Sequence, residues 1–203
     1  MKHVYTFLWV TLVTTACGQG QTTERSVGGS CEGCEAIYEY GDMKLTASAT
    51  LPDFSEAGPK LKISGTIYQK DGKTPARDVI LYIYHTDQKG IYPQGPNAGK
   101  HHGYIRGWIK TGADGKYSFY TLLPASYPNS DNPKHIHPII KEPGLQAYWI
   151  DEFLFDDDPL LTEKQKSHIE NRGGSGILKL SKDKNGMLIG HRDIILGKNV
   201  PGY

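Results

Sequence analysis

No stretch of the chain gathers enough lysine and arginine to make a basic stripe. With 23 cations against 22 acids, the formal net charge over 203 residues is only +1. Nucleic acid is therefore not an expected partner. Cysteine is nearly absent, with three in all, and the single C-x-x-C at Cys31-Glu32-Gly33-Cys34 has no second cysteine or histidine pair beside it. That argues against structural zinc, and no thioredoxin-like βαβ pattern follows to suggest redox chemistry. A small structural disulfide is the remaining reading. No internal repeat or low-complexity segment is evident. Helical periodicity is also scarce: Leu160 to Asn171 is the only plausible helix, with Thr162 as N-cap and Glu163 in its first turn.

What the chain does contain begins with an export-like start. Lys2-His3 precedes an apolar stretch, Val4 to Val13, and the small residues Thr14-Thr15-Ala16 follow. The apolar part is too short to span a membrane, and the layout is that of a signal segment over residues 1–17. Cys17 directly after Ala16 resembles a bacterial lipoprotein processing site, although Thr14 stands where such sites usually carry Leu. A lipid on Cys17 would leave Gly18 to Gly29 as a polar tether; ordinary cleavage near Ala16 would leave a soluble secreted protein. Either route exports the chain to the cell envelope, periplasm or medium. Without Cys17, Cys31 and Cys34 form an even pair suited to an oxidising compartment. Residues 18–59 read as a tether and wrapping segment, and residues 60–203 as the folded domain.

From Lys60 onward the pattern is that of short strands. Leu61, Ile63, Gly65 and Ile67 alternate with polar residues, and Asp71-Gly72 supplies a tight turn. Val79 to Tyr84 is apolar on both faces and so belongs at the centre of a sheet. Further strands are expected at Tyr104–Lys110, Tyr117–Leu122, His135–Ile140, Ala147–Phe155, Gly176–Leu180 and Met187–Leu196. Ala113-Asp114-Gly115 reads as a turn returning one strand onto the next, and Asn185-Gly186 as another turn. Twenty-four glycines and 12 prolines fit this turn-rich pattern. The fold class predicted is all-β, an antiparallel β-sandwich with long loops and one short helix. The long irregular stretch Asp87 to Gly103 is of a length that usually serves function or is disordered. Within it, His101-His102 read as polar loop residues.

His135-Ile136-His137 is the most informative motif. Residues i and i+2 of a strand share a face, so the two imidazoles can converge on one metal ion. Imidazole suits several metals, so the pair alone does not name one. Tyr127, eight residues upstream, and Tyr92 in the long loop add phenolic donors.

In this order the motifs resemble the intradiol ring-cleavage dioxygenases. The resemblance covers about residues 60 to 160: Gly65-Thr66-Ile67 with Asp71-Gly72, then Leu81 to Asp87, Ile105-Arg106-Gly107, Thr111 to Phe119, Pro124 to Pro128, and His135-Ile136-His137. It implies a sandwich of the intradiol type and a ferric ion, Fe(3+), held by Tyr92, Tyr127, His135 and His137. Phenolate is a hard, anionic donor that favours Fe(III), whereas zinc or copper has little need of paired tyrosines. The implied reaction is cleavage of a small aromatic diol between its two hydroxyl-bearing carbons by O2, with Tyr127 able to accept a substrate proton. Two departures stand out. Asn132 replaces the arginine usual three residues before the first histidine, and Glu152 is the nearest equivalent of a glutamine usual after the pair. Arg106 or Lys134 would have to supply the missing cation, and Arg106 is the candidate assigned to catalysis. Two other readings remain open: an exported non-catalytic iron-binding protein, and a transthyretin-like sandwich that binds a partner without catalysis.

Overall fold

The computed structural model describes Met1 and residues 24–96, 98–99 and 101–203. The rest of the export segment and Cys17 lie outside the described residues. Twelve strands occur among those described: β1 (Ser48–Thr50), β2 (Lys60–Tyr68), β3 (Ile80–Tyr84), β4 (Arg106–Lys110), β5 (Lys116–Leu122), β6 (His135–Lys141), β7 (Tyr148–Trp149), β8 (Phe153–Phe155), β9 (Ile177–Leu178), β10 (Ser181–Lys182), β11 (Leu188–His191) and β12 (Ile194–Ile195). They form two sheets. The first runs β1-β5-β2-β11-β10, with β12 also on β2; the second runs β4-β3-β6-β8-β9, with β7 also on β6. The long central pairings β2–β5, β3–β4 and β3–β6 are antiparallel. Shorter parallel pairings lie beside them, β1 with β5, β11 and β12 with β2, and β8 with β9.

Alternation in β2 sends Leu61, Ile63 and Ile67 inward, each with no exposed surface. They meet Leu81 and Ile83 of β3, Phe119 of β5, Ile136 and Ile140 of β6, and Phe153 of β8 in one core between the sheets. Each such side chain stabilises the fold by about 1.5–3 kcal/mol relative to exposure. β3 is central and buried on both faces, as its sequence implies. Its outward residues, Tyr82 and Tyr84, lie under a second, smaller cluster built from a short 3-10 helix, Cys34–Tyr38.

Three expectations change. The Ala113-Asp114-Gly115 turn does not close a hairpin: β4 belongs to the second sheet and β5 to the first, so the chain crosses the sandwich there. The sequence does not distinguish these cases, because Ile109 and Phe119 enter the same core from opposite sheets. The helix shrinks to α1 (Glu163–Lys166), keeping Thr162 as N-cap with a complete capping box to Gln165. None of its residues is buried, so no apolar face offsets the cost of extending so short a helix. The segment before residue 60 does more than wrap the domain: β1 pairs with β5, and Asp53 binds Thr121 and the Leu122 amide. Cys31 and Cys34 are joined in a disulfide.

Candidate metal centre and cavity

The side chains of His135 and His137 emerge on the outer face of the second sheet, while Ile136 between them is fully buried in the core. Tyr84 of β3 is paired directly with His137 and stacks on its imidazole, ring centroids 4.6 Å apart. His102 stacks on Tyr84 at 3.6 Å with the ring planes 5° apart. It is also hydrogen-bonded through Nδ1 to Tyr82 Oη at 2.9 Å. His102 is therefore a buried packing residue, 5% exposed, and not the solvated loop histidine its sequence suggested. His101 and His102 lie in a turn, and of the two only His101 faces solvent.

Two loops deliver the tyrosines. Asp87 Oδ1 accepts hydrogen bonds from the amides of Lys89 and Ile91, folding a tight turn just before Tyr92. Gly90 in that turn has φ +75°, and a Cβ there would lie 2.0 Å from the carbonyl oxygen of Ser126. Only glycine permits this approach, which sets the Tyr92 loop against the Tyr127 loop. Thr86 Oγ1 donates to the Ala125 carbonyl at 2.6 Å and ties the loops a second time. His85, buried beside Thr86, accompanies Thr121 and Asp53 beneath this junction, with Nε2 2.6 Å from Thr121 Oγ1.

The structure brings Tyr92, Tyr127, His135 and His137 together. Tyr92 Oη and Tyr127 Oη are 2.5 Å apart. Tyr127 Oη is 3.2 Å from His135 Nε2 and 3.3 Å from His137 Nε2, and the two Nε2 atoms are 3.0 Å apart. Donors sharing one ion at about 2.0–2.2 Å stand about 3 Å from one another, so this spacing fits four donors around one ion. The tautomers fit too. His135 Nδ1 lies 2.7 Å from the Pro133 carbonyl, to which it donates, leaving the Nε2 lone pair facing the cluster. His137 Nδ1 faces Glu152 Oε1 at 3.7 Å.

Burial, aided by His135, His102 and His85, holds the His137 pKa well below its ordinary value, so its ring stays neutral. Burial and the hydrogen bond with Tyr127 raise the Tyr92 phenol, and burial likewise raises Tyr127. Neutral imidazole lone pairs and two crowded phenols are what a highly charged cation would satisfy, since it would supply the charge needed to deprotonate the oxygens. Among the described residues, no group of three or more His, Cys, Asp or Glu gathers in metal-holding geometry.

A cavity of about 410 Å3 opens beside Tyr127, His135 and His137, within the size range of small-molecule sites. Asn132 and Glu152, the two departures from the family pattern, both line it, as do Trp149, Leu154, Leu161 and Gln165. Glu152 reaches the site through a bulge. Ile139 pairs with Trp149 and Ile136 with Phe153, so the strand facing β6 carries one residue more than β6 over that stretch. Arg106 lies elsewhere. Its guanidinium is paired with Glu39 and lies 4.9 Å from the Trp108 ring centroid, lining a different cavity. Arg106 leaves β3's partner strand on the far side of Tyr84 from His137, a register that sequence alone does not show. The α1 rim and Trp149 carried no sequence signal that would place them at the site.

The family model described as Dioxygenase matches residues 38–172. Catechol 1,2-dioxygenase 1 of Acinetobacter lwoffii is 30% identical over 156 residues, 68% of this chain and 48% of its own length. The protocatechuate 3,4-dioxygenase beta chain of Burkholderia cepacia is 26% identical over 134 residues, 59% of this chain and 54% of its own length. This chain thus spans about half the length of the curated relatives it matches. Among solved structures, the dioxygenase domain of a dioxygenase carbohydrate-binding protein fusion from Streptomyces sp. SirexAA-E superposes with a TM-score of 0.57 at 22% identity. The match covers 78% of this chain and 94% of that one. For 3-chlorocatechol 1,2-dioxygenase from Rhodococcus opacus 1CP the TM-score is 0.59 at 21% identity, covering 78% and 68%. At such identity these two speak for the fold, while the match over more than half the sequence speaks for descent: the chain belongs to the intradiol ring-cleavage dioxygenase family.

Proposed function

We propose that the protein is a ferric, non-haem dioxygenase that opens a catechol-type ring between its two hydroxyl-bearing carbons using O2. The observation that carries this reading is the convergence of two phenolic oxygens and two imidazole Nε2 atoms at the end of a ligand-sized cavity. Tyr92, Tyr127, His135 and His137 would hold the ion. Bound there, ferric iron would draw electron density from a chelated catecholate and make its ring reactive toward O2.

The chain's own groups would do the rest. Tyr127 is among the residues lining the cavity, so as a phenolate, with the ion bound, it would be placed to take a proton from an incoming substrate hydroxyl. The Pro133 carbonyl fixes the His135 ring, and Tyr84 packed on His137 restricts that ring from turning. Leu154, Leu161 and Ile169 give the ring an apolar wall from which water is displaced.

Export belongs to the same proposal. The N-terminal pattern ending at Cys17 supports it, as does the Cys31–Cys34 disulfide, a bond typical of oxidising compartments. Cys17→Ala should abolish fatty-acid labelling and membrane fractionation, and unchanged fractionation would remove lipidation from the proposal.

The main experiment loads the purified protein with Fe(III) and presents catechols in air. Expected are a tyrosinate-to-iron charge-transfer colour, oxygen uptake and a ring-opened dicarboxylic acid. Tyr127→Phe and His135→Ala should each lose both colour intensity and turnover. A catechol that shifts the iron absorption without consuming oxygen would favour the non-catalytic iron-binding reading. A protein that holds no iron and binds no catechol would leave the binding-module reading.

A further inference from the structure

We infer that the substrate is a catechol whose side arm carries a positive charge, a protonated amine, selected by an acidic wall in which Glu152 is the principal group and Glu32 its support. The inference rests on the ring-cleavage reading and adds the chemical class of the arm.

The walls carry it. The main cavity is lined by Asp151, Glu152 and Glu170, and no lysine or arginine is among its lining residues. A smaller cavity of about 130 Å3 opens on the same His137, Trp149 and Glu152 and adds Glu32, again with no lysine or arginine in its lining. The two spaces therefore share an acidic junction beside the donor cluster, with room for a ring in the larger and an arm reaching toward the smaller.

The acids are not equivalent. Glu170 is paired with Arg172 at 2.6 Å, which cancels most of its field. Asp151 is buried and accepts the Arg172 amide at 3.2 Å, a contact that holds the neighbouring turn. Glu152 keeps a 40% exposed carboxylate, 3.7 Å from His137 Nδ1 on the cavity side, with no lysine or arginine paired to it among the described ion pairs. Both Glu152 and Glu32 act electrostatically on Tyr84, which places them around the same patch.

The arginines around this wall are taken up by protein groups: Arg192, which acts electrostatically on Glu152, is buried and donates to the Asp151 carbonyl at 2.7 Å. Arg172 sits 3.6 Å from the Trp149 ring centroid and donates to the Gly28 carbonyl, and Arg106 is held at Glu39. Asn132, lining the main cavity, offers no charge. An anionic arm would meet repulsion here, and an ammonium would meet attraction. Each is worth about tenfold in affinity for a unit charge several ångströms away in a partly solvated site.

Three catechols with arms of similar length test this: dopamine (ammonium), hydroxytyrosol (alcohol) and homoprotocatechuate (carboxylate). Binding is measured at neutral pH under argon, to the metal-free and the iron-loaded protein, and kcat/KM is then measured in air. Affinity should fall in the order given, about tenfold per step, and the spread should shrink at high salt. Glu152→Gln should reduce the dopamine-to-homoprotocatechuate ratio about tenfold. Glu32→Gln, at an exposed position, should reduce it severalfold and serves if the first variant fails to fold. Equal or tighter binding of homoprotocatechuate, or a ratio unmoved by both substitutions, would overturn the inference. Charge-ordered binding under argon without oxygen uptake in air would sustain the selection of a cationic arm by this wall and overturn the ring-cleavage reading, making the catechol a ligand instead of a substrate. Ring opening with the carboxylate arm preferred would overturn this inference alone.

Discussion

Strands β3 and β6 present two faces with opposite logic. Inward, Leu81, Ile83, Ile136 and Ile140 are fully buried in a conventional apolar core. Outward, the same strands carry Tyr82, Tyr84, His135 and His137, packed as a row of rings under a short 3-10 helix and two loops. On these two strands the inner face carries aliphatic side chains and is held by contact area. The outer face is built from polar rings whose positions are set by stacking and by hydrogen bonds from loops. Stability belongs chiefly to one side of the sheet and chemistry to the other, so substitutions should separate the two.

The largest effect should come from Phe153→Ala on the inner side. Its ring is fully buried and meets Phe119 edge-on at 5.6 Å, so its loss should cost about 3–5 kcal/mol in urea unfolding. His137→Ala on the outer side, measured the same way without metal, should cost far less while removing iron binding. Comparable losses from both would erase the distinction between the faces.

Gly90→Ala tests whether the loops that carry the tyrosines are held by backbone fit. A positive φ and an overlap with Ser126 together should cost about 3 kcal/mol. The charge-transfer band of the iron-loaded protein should weaken as Tyr92 and Tyr127 part. A variant with unchanged stability and colour would show that the loops adapt freely.

A smaller effect is expected from acid. Burial, then Arg106 and His101, push His102 down to about 4, below the ordinary histidine value of 6.5. The unfolded chain therefore binds this proton first as pH falls. The stabilising contribution of neutral His102 is complete above about 6.5 and is lost progressively as pH falls toward 4. Its share should be about 2 kcal/mol, read as the part of the pH slope of urea stability that disappears in His102→Phe. An unchanged slope in that variant would assign the acid sensitivity to other buried groups, His85 and His137 being lowered in the same sense.

Local patterns determined much of this protein. Alternation over Leu61–Ile67 specified β2 and its inward face, and the i, i+2 spacing of His135 and His137 specified two imidazoles on one side of a strand. Thr162 with Glu163 specified a helix start, because an N-cap needs only neighbouring atoms, and the structure adds the capping box to Gln165. Only tertiary structure decided which strands lie in which sheet, and it sent β4 and β5 apart where a hairpin was expected. It also decided that Tyr84 stacks on His137, that His102 is buried, that Gly90 locks two tyrosine loops together, and that Arg106 faces away from the cavity while Glu152 faces into it. Those outcomes depend on register and loop docking between segments tens of residues apart. Such contacts are set by three-dimensional fit, which leaves no periodic trace in the order of residues along the chain.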